Sequence, residues 1–349
     1  MGGRRGKPFQ RFLRLALKPL KRFCTSGTLF TGLKPGANER CARLSGFHAW
    51  KCLLLALLLV VGGCQPHGTR AVIIYTSQDQ EFAEPILKGF TKQTGIEVRA
   101  VYDSEAVKTV ALANRLLAEA SHPQCDVWWS NEALRTRQLA KRGVFDTNFI
   151  AQFGFRSRRI VINTNKLALA AAPKSLVELT NAQWRGKVAL AYPMFGTTSA
   201  QFIALRQRWG AARWEQWCRA LAANKPFLVD GNSVVVNLVG RGEAVIGLTD
   251  SDDVSAGRRE GLPVVALELN GESLLIPNSV AITRNAPHSA QAKRLFDYLA
   301  SDGVVQQLIA VSALEANAPG LRPHLRVEWD LLVNDLEPAT ETLRQIFLR

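Results

Sequence analysis

The chain has 349 residues, which is too long for one typical globular domain and suits two. Hydrophobic residues make up 47% of it, enough to fill two cores. A formal net charge of +15 points towards a nucleic-acid-binding protein. However, residues 1–51 hold 12 Lys or Arg and a single acid, Glu39, so only +4 belongs to the rest of the chain. Because the body is nearly balanced in charge, we exclude nucleic acid as a partner.

An export signal follows the basic leader. Lys51 precedes an apolar run over 52–61, and Gly62, Gly63 and Cys64 come next. A run of this length suits the core of a signal peptide, whereas a transmembrane helix needs roughly 20 residues. The stretch 61–64 (VGGC) resembles a bacterial lipobox, in which the cysteine is acylated and becomes the first residue of the mature protein.

The leader therefore predicts where the chain works. We interpret residues 1–63 as a basic leader and lipoprotein signal peptide, Cys64 as the lipidation site and residues 64–70 as a tether. Several acyl chains would hold the protein firmly at a membrane surface, since each buried methylene adds about 0.8 kcal/mol. The expected location is the periplasmic or other extracytoplasmic face of a membrane.

The first predicted elements alternate between strands and helices. The run 71–75 (AVIIY) is typical of a buried parallel strand. Apolar residues then recur at helical spacing from Phe82 to Phe90, and Gly95 ends that helix. Further strands and helices follow, at 96–101 (strand), 106–120 (helix), 126–129 (strand) and 133–142 (helix). This order predicts a parallel sheet covered by helices.

A second unit of the same kind follows a strand at 159–163. Its predicted elements are a helix at 175–179, a strand at 187–191, a Gly-Thr-Thr turn, helices at about 199–209 and 214–223, and strands at 244–248 and 264–267. The segment 275–283 is a strand that returns to the first unit, and helices complete the chain. We predict an α/β protein of two lobes, with lobe 1 formed by 71–163 and 274–349, lobe 2 by 164–273, and two hinge crossings. Ligands of hinged pairs lie between the lobes.

Cysteine usage and sequence motifs give little sign of chemistry. After removal of the leader, Cys125 and Cys218 remain in the body, and their predicted places give no reason for a disulfide. The sequence has no CxxC pair, no GxSxG, no HExxH and no Walker loop. We therefore expect a protein that is not an enzyme and has no cofactor, and we expect a monomer.

Six stretches together resemble a known family. They are 73–78 (IIYTSQ), 90–98 (FTKQTGIEV), 126–132 (DVWWSNE), 156–164 (RSRRIVINT), 175–191 (SLVELTNAQWRGKVALA) and 242–253 (GEAVIGLTDSDD). In this order and spacing they resemble the ferric-ion-binding type of periplasmic binding protein. The resemblance implies a class 2 periplasmic-binding-protein fold, in which each lobe has a mostly parallel sheet flanked by helices. It also implies a role in an ABC importer, with permease and ATPase subunits as partners.

The resemblance does not extend to the metal ligands. Iron-binding members hold Fe(III) with adjacent tyrosines and, in some, a histidine and a glutamate. In the matched pattern the tyrosine pair falls on Asp252 and Asp253, the histidine on Asp79, and the glutamate on Asn131, with Glu132 beside it. Carboxylates also bind Fe(III), so Asp252, Asp253, Asp79 and Glu132 are the candidate metal ligands.

Loops at the strand ends supply the other candidates, since such loops face the cleft in α/β proteins. The predicted ligand-binding residues are Ser77, Asp79, Ser130, Asn131, Gly196, Thr197, Thr198, Asn232, Ser233 and Asp250, with Ser104 also near the cleft. Trp128 and Trp129 could wall the cleft, but alternation along a strand places at least one in the core.

Two of these groups indicate the charge of the ligand. Gly196, Thr197 and Thr198 open a helix, where free N–H groups favour an anion, although an ordinary helix cap has the same pattern. Asp250, Asp252 and Asp253 repel one another unless a cation or a helix start compensates them.

The ligand is thus predicted to be ferric iron or another metal ion with an accompanying anion. The alternative is a small organic anion or zwitterion, such as an aminoalkylphosphonate. A ligand sensor on the same scaffold is the competing role.

Overall fold

The computed structural model describes residues 71–102, 110–269, 271–318, 320 and 324–348. The leader, the predicted lipidation site Cys64, the tether 64–70 and Ser104 lie outside the described residues. Within the described ranges no helix is both long enough and apolar enough to cross a membrane.

The strands and helices follow the predicted alternation. The strands are β1 (Ala71–Thr76), β2 (Glu97–Tyr102), β3 (Val127–Ser130), β4 (Phe145–Asn163), β5 (Val188–Ala191), β6 (Phe227–Val229), β7 (Ile246–Asp250), β8 (Val264–Leu267) and β9 (Leu275–Thr283). The helices are α1 (Gln80–Thr94), α2 (Val110–Ala118), α3 (Ala133–Lys141), α4 (Gly196–Trp209), α5 (Ala211–Ala223), α6 (Asn232–Arg241), α7 (Ser251–Arg259), α8 (Ser289–Leu299), α9 (Asp302–Ala310) and α10 (Trp329–Phe347).

Lobe 1 is built on a mixed sheet. β1 pairs in parallel with both β2 and β3, so it lies inside the sheet, which explains its almost fully apolar sequence. β9 runs antiparallel between β3 and β4. The two sheet faces carry separate cores, and Trp128 and Trp129 point into one each because successive strand residues alternate. Both indoles are 0% exposed, so neither forms a wall of the cleft.

Lobe 2 has a second sheet in which β5 lies between β6 and β7, all parallel. β4 joins the two sheets. Its residues 145–157 pair with β9, and from Arg158 onward it pairs with β7 and β8 instead. All nine strands are therefore linked by hydrogen bonds, but the link between the two sheets is a single long strand, β4, which changes partners between Ser157 and Arg158. The fold is the predicted two-lobe α/β arrangement.

Three local predictions were wrong in detail. The stretch 175–179 forms a 3₁₀ turn, Val177–Thr180, in place of a helix. α4 begins at Gly196 and not near Ser199, so the Gly-Thr-Thr segment is its first turn. β4 is 19 residues long, although only its last part was predicted as a strand.

The C-terminal helix α10 packs against α4 and α5 of lobe 2 and against α3 of lobe 1. Its buried leucines, among them Leu332 and Leu336, join the core that contains Phe202 and Trp217. The proposed lobe boundaries at 163/164 and 273/274 stay a prediction. Cys125 and Cys218 are both buried thiols in different cores.

Candidate functional site

A cleft between the lobes encloses a small cavity of about 30 Å³. Loops and helix starts from both sheets line it. The predicted candidates that reach this cavity are Asp79, Asn131, Gly196, Thr197, Thr198, Asn232, Asp250 and Asp253. The strand-end argument therefore brought together residues that are up to 174 positions apart in the chain.

Two helix starts form one wall. α4 begins at Gly196 and α6 at Asn232, after Phe195 and Gly231 in extended conformation, and neither helix has a side-chain cap. The first N–H groups of a helix have no partner within the helix and carry partial positive charge. Phe195, Gly231 and Asn232 line the cavity, so this wall suits negatively charged ligand atoms.

Arg158 ties that wall to the sheet of lobe 2. It lies directly opposite Asp250 in the β4–β7 ladder, and its Nη1 is 2.7 Å from Asp250 Oδ1. The same Nη1 donates to Asn232 Oδ1 at 2.9 Å, and Nε donates to Gln201 Oε1 at 2.9 Å. Asp250 Oδ2 also accepts from the Thr197 hydroxyl at 2.7 Å. Asp250 thus fixes the starts of α4 and α6 relative to β4.

Arg156, two residues earlier on the same face of β4, pairs with Asp252. Its Nη1 is 2.6 Å from Asp252 Oδ2, and its Nη2 is 3.3 Å from Asp250 Oδ2. Its side chain is 5% exposed and lines the cavity. Burial alone would lower its pKa, but the carboxylates of Asp252, Asp250, Asp79 and Asp253 together raise the pKa of Arg156. The guanidinium is therefore a permanent positive charge at the cleft.

The acid cluster is thus largely compensated from within the protein. The carboxylates of Asp250, Asp252 and Asp253 lie within 4.8 Å of one another. Burial alone would raise the pKa of Asp250, but Arg158 and Arg156 beside it hold that pKa below its usual range. Asp253 lines the cavity near Thr249, whose hydroxyl is 3.5 Å from Asp253 Oδ2.

Asn131 presents a donor on the lobe 1 side. Its Oδ1 accepts from the Ser77 hydroxyl at 3.3 Å. Its Nδ2 is buried without a hydrogen-bond partner in the described structure, and Asn131 lines the cavity. A buried donor of this kind is costly unless it is used, which marks it as a contact for a ligand acceptor.

Five described candidates do not line this cavity: Ser77, Ser130, Glu132, Ser233 and Asp252. Ser77 and Ser130 are buried and hydrogen-bond to each other at 3.0 Å, so they support Asn131 without lining the cavity. Glu132 does not line the cavity, and its carboxylate caps α3 by accepting hydrogen bonds from the backbone N–H groups of Leu134 and Arg135, so its role as a metal ligand stays a prediction. Ser233 lines an adjacent groove with Asp79, Asp252 and Asp253.

Sequence reasoning missed Arg156 and Arg158 as members of the site. The alternation of Arg156, Ser157, Arg158 and Arg159 in a strand was the available signal, because residues two apart share a face. Two arginines on one face of β4, beside three aspartates at the end of β7 and the start of α7, predict paired charges.

Comparison with known proteins decides the family. The family described as "Bacterial extracellular solute-binding protein" matches residues 72–308, more than half of the chain. The chain belongs to this family. The family and its structural neighbours are solute-binding proteins and not enzymes, so the prediction of a non-enzymatic role is confirmed.

Relatives and solved structures agree with the resemblance to ferric-ion-binding proteins. The "Major ferric iron-binding protein" of Neisseria meningitidis is 27% identical over 288 residues, 74% of this chain and 83% of that protein. The "Fe(3+)-binding periplasmic protein" of Serratia marcescens is 28% identical over 225 residues, 59% of this chain and 64% of that protein.

Two solved structures share the fold at lower identity. Iron-bound HitA from Pseudomonas aeruginosa has a TM-score of 0.69 at 18% identity, covering 79% of this chain and 99% of that one. AfuA from Actinobacillus pleuropneumoniae, with fructose-6-phosphate bound, has a TM-score of 0.69 at 16% identity, covering 80% and 98%.

Proposed function

We propose that this chain is a lipid-anchored, extracytoplasmic binding protein that captures a small ligand between its lobes and delivers it to an ABC importer. Membership of the solute-binding family supports the capture role. The leader with its lipobox-like VGGC at 61–64 supports export and acylation of Cys64. Closure on the ligand would present a surface for the permease and ATPase subunits, so binding energy alone performs the work.

The observation that carries the proposal is the mixed charge of the cavity. Arg156 and the starts of α4 and α6 offer positive charge, while Asp79 and Asp253 line the same space. A ligand of one sign would meet like charge on one wall, and charges brought together in a cleft out of water interact strongly. The ligand therefore contains both signs.

One candidate ligand is ferric iron, or another metal ion, with an accompanying anion. Three carboxylates within 4.8 Å of one another and the ferric-binding relatives favour it. Hard metal ions prefer oxygen ligands, and an anion at the helix starts would complete the coordination. The metal ion would be cargo and not a resident cofactor.

The other candidate is a small organic anion or zwitterion, such as an aminoalkylphosphonate. The pairing of Arg156 with Asp252 favours it, because that carboxylate already has a cation. In the AfuA structure, a protein of this fold binds a phosphorylated organic compound, fructose-6-phosphate.

Elemental analysis together with mass spectrometry of the full chain, purified in detergent without added ligand, tests the proposed function. A stoichiometric small molecule or metal ion, released intact on denaturation, is the expected result. Turnover of the bound compound would contradict it. Purification of the chain with a membrane kinase, and not with permease and ATPase subunits, would favour the sensor role.

The lipid anchor has a separate test. Metabolic labelling with a radioactive fatty acid should label the wild-type chain. The labelled chain should fractionate with membranes, and once extracted in detergent it should be a monomer. Cys64→Ser should lose the label and be released. A labelled Cys64→Ser chain would contradict acylation at this residue, whereas Cys52→Ser serves as the matched control and should keep the label.

A further inference from the structure

We infer that the cleft binds a phosphate or phosphonate group directly, without a metal ion, and that Asn131 Nδ2 and Arg156 Nε are two of the hydrogen-bond donors to it. This inference rests on the proposed function and names the chemical group that the cavity holds.

The first reason is that two buried side-chain donors at the cavity have no acceptor in the described part of the chain. They are Asn131 Nδ2 and Arg156 Nε, and both residues are 4% exposed and line the cavity. Asn131 follows β3 in lobe 1, whereas Arg156 lies on β4 just before that strand changes partners. A buried donor without a partner destabilises the protein, and a bound acceptor removes that cost.

A chain of hydrogen bonds fixes the orientation of the Asn131 amide. The backbone N–H of Glu132 donates to Ser130 Oγ at 3.2 Å, and the hydroxyls of Ser130 and Ser77 are 3.0 Å apart. Ser77 Oγ also accepts from the backbone N–H of Asn131 and donates to Asn131 Oδ1, both at 3.3 Å. Because a hydroxyl has one hydrogen, that of Ser77 goes to Asn131 and that of Ser130 goes to Ser77. The chain occupies the amide oxygen, and Nδ2 is the group that a ligand meets.

The second reason is that lobe 2 supplies further donors to the same space. α4 and α6 begin at the cavity without side-chain caps, so their first N–H groups face it without a partner inside the helix. A tetrahedral oxyanion has oxygens in several directions and accepts from all of these donors, with the added strength of charge-assisted hydrogen bonds. A metal ion accepts a hydrogen bond from none of them.

The third reason is that the chain already uses the carboxylates that a metal ion would need. Asp250 Oδ1 is 2.7 Å from Arg158 Nη1, and its Oδ2 accepts from the Thr197 hydroxyl at 2.7 Å. Asp252 Oδ2 is 2.6 Å from Arg156 Nη1. A metal ion that drew Asp250 or Asp252 into its coordination would leave a buried guanidinium without its partner, which is strongly unfavourable.

Asp79 and Asp253 determine which oxyanions fit, because both line the cavity. An ionised carboxylate has about four lone-pair positions and no donor, so beside its other contacts it accepts a hydrogen bond from a ligand. A phosphate group loses its last proton at a pKa of about 6, so near neutral pH it still binds in a form that donates an O–H. Sulfate and sulfonate groups have no such proton and meet the carboxylates as like charge. A protonated phosphate or phosphonate group therefore presents negative oxygens to the donors and a positively polarised hydrogen to the carboxylates.

The size of the cavity agrees with a single head group. About 30 Å³ has room for about two or three water-sized groups in the form described here. An organic substituent on the phosphorus or on one of its oxygens would require a more open cleft.

Isothermal titration of the full chain, dialysed in detergent and with EDTA present throughout, tests the inference. The probes form two matched pairs: inorganic phosphate with sulfate, and methylphosphonate with methanesulfonate. We expect at least one phosphorus probe to bind at least tenfold more tightly than its sulfur counterpart. Absence of binding by both phosphorus probes, or equal binding within both pairs, would overturn the inference.

The same titrations distinguish the two sources of the group. Tighter binding of inorganic phosphate would identify free phosphate as the ligand, whereas tighter binding of methylphosphonate would identify an organic solute with a phosphorus head group. Both results support direct binding of the group.

Variants of Asn131 test the donor. Asn131→Ala should weaken binding of the tighter phosphorus probe at least tenfold, and Asn131→Asp should weaken it further because it replaces the donor by a carboxylate oxygen. Asn148→Asp makes the same exchange at an exposed position of β4 and should leave the affinity unchanged. Cooperative thermal unfolding of each variant shows that it is folded. A folded Asn131→Asp chain that binds the probe as tightly as the wild type would contradict the contact.

Variants of the two carboxylates test the choice of oxyanion. Asp79→Asn and Asp253→Asn each replace a pure acceptor by an amide that also donates, so sulfate is no longer opposed by that charge. In at least one of them the ratio of phosphate affinity to sulfate affinity should fall at least fivefold. An unchanged ratio in both variants would contradict selection by these carboxylates.

Titration with ferric chloride plus phosphate, without EDTA, distinguishes failure of the inference from failure of the proposed function. Binding of phosphate only together with iron, abolished by EDTA, would reject direct binding and retain the binding protein. A protein that is purified without any small molecule or metal ion and binds none of these probes would contradict both.

Discussion

At the scale of single residues, Asp250 connects the sheet of lobe 2 to two helix starts. It is 1% exposed and accepts hydrogen bonds from Arg158, Thr197 and Asn232. Removing one partner of a buried ion pair leaves the other uncompensated. We predict that Asp250→Asn lowers the free energy of unfolding by about 3–5 kcal/mol in urea titrations.

A surface carboxylate is the matched control for this variant. Glu341→Gln removes an acid that pairs with Arg344 on the exposed face of α10, where both side chains are more than half exposed. Such pairs contribute roughly 0–1 kcal/mol, so the unfolding midpoint should hardly change. Equal effects of the two substitutions would show that burial of Asp250 is energetically unimportant.

The same residue predicts a pH dependence. The pKa of Asp250 is lowered in the folded protein from its ordinary value of 3.8. A carboxyl whose pKa is lower when folded stabilises the fold above its unfolded pKa, and this stabilisation is lost as pH falls through the folded value. We therefore expect stability, measured by urea midpoints, to fall more steeply below about pH 4 in the wild type than in Asp250→Asn. Parallel pH profiles would contradict this assignment.

The sequence predicted which residues lie at the cleft where their position after a strand is enough to place them. Asp79, Thr197, Asn232 and Asp253 follow strands whose ends must meet at the cleft, and the structure places all four on the cavity. It failed for Arg156, because charged strand residues are usually solvent-exposed and only the cross-strand register brings this one to Asp252.

At the scale of elements, the packing of α6 on lobe 2 depends on a glycine in β7. A Cβ at Gly247 would lie 2.4 Å from Val235 Cγ1 and 3.0 Å from Val161 Cγ1. The strand and helix would have to move apart, and overpacking of this kind costs about 1–3 kcal/mol. We predict that Gly247→Ala lowers the thermal midpoint and the free energy of unfolding by that amount.

Gly303 in α9 provides the control for the glycine substitution. A Cβ there would find its nearest neighbour, Ser301 Oγ, at 3.9 Å. Alanine loses less backbone freedom than glycine on forming a helix, so Gly303→Ala should be neutral or stabilise by up to about 1 kcal/mol. A similar loss in both variants would mean that close packing at Gly247 is not the cause.

Element-level prediction was accurate for short buried strands and less so for β4. Runs such as 71–75 and 244–248 are apolar because hydrophobic cores lie on both faces of their sheets, so composition reveals them. The first part of β4 mixes exposed and partly buried residues without regular alternation and includes Gly154 with a φ of 55°. Its strand character comes from pairing with β9, more than 120 positions away, which local sequence does not encode.

At the scale of the whole molecule, the small cavity implies movement between the lobes. Because the cavity is only about 30 Å³, we expect the lobes to separate when a ligand enters. Hinged binding proteins respond by population shift, since the ligand stabilises the closed form. We predict that small-angle X-ray scattering gives a smaller radius of gyration for the chain saturated with the ligand that titration identifies than for the ligand-free chain.

Chemical denaturation controls for this measurement, because a general tightening of the fold would also alter the urea dependence of unfolding. With ligand, the slope of the unfolding free energy against urea concentration should stay the same, while the urea concentration at the unfolding midpoint should rise. An unchanged radius of gyration under saturating ligand would contradict hinged closure.

Residues on the two faces of β4 near the hinge have different partners, and this limits which substitutions can change specificity. Arg156 and Arg158 face the acid cluster, while the Ser157 hydroxyl donates to Glu315 and Arg159 is 3.1 Å from Glu315 Oε2 on the other side. Because the buried aspartates are neutralised by residues of the chain itself, the fold does not depend on cargo for charge balance. We therefore expect new specificities to arise through exchange of cavity-lining residues such as Asn131, while Asp250 and Arg158 stay unchanged because they hold the sheet of lobe 2 to two helix starts.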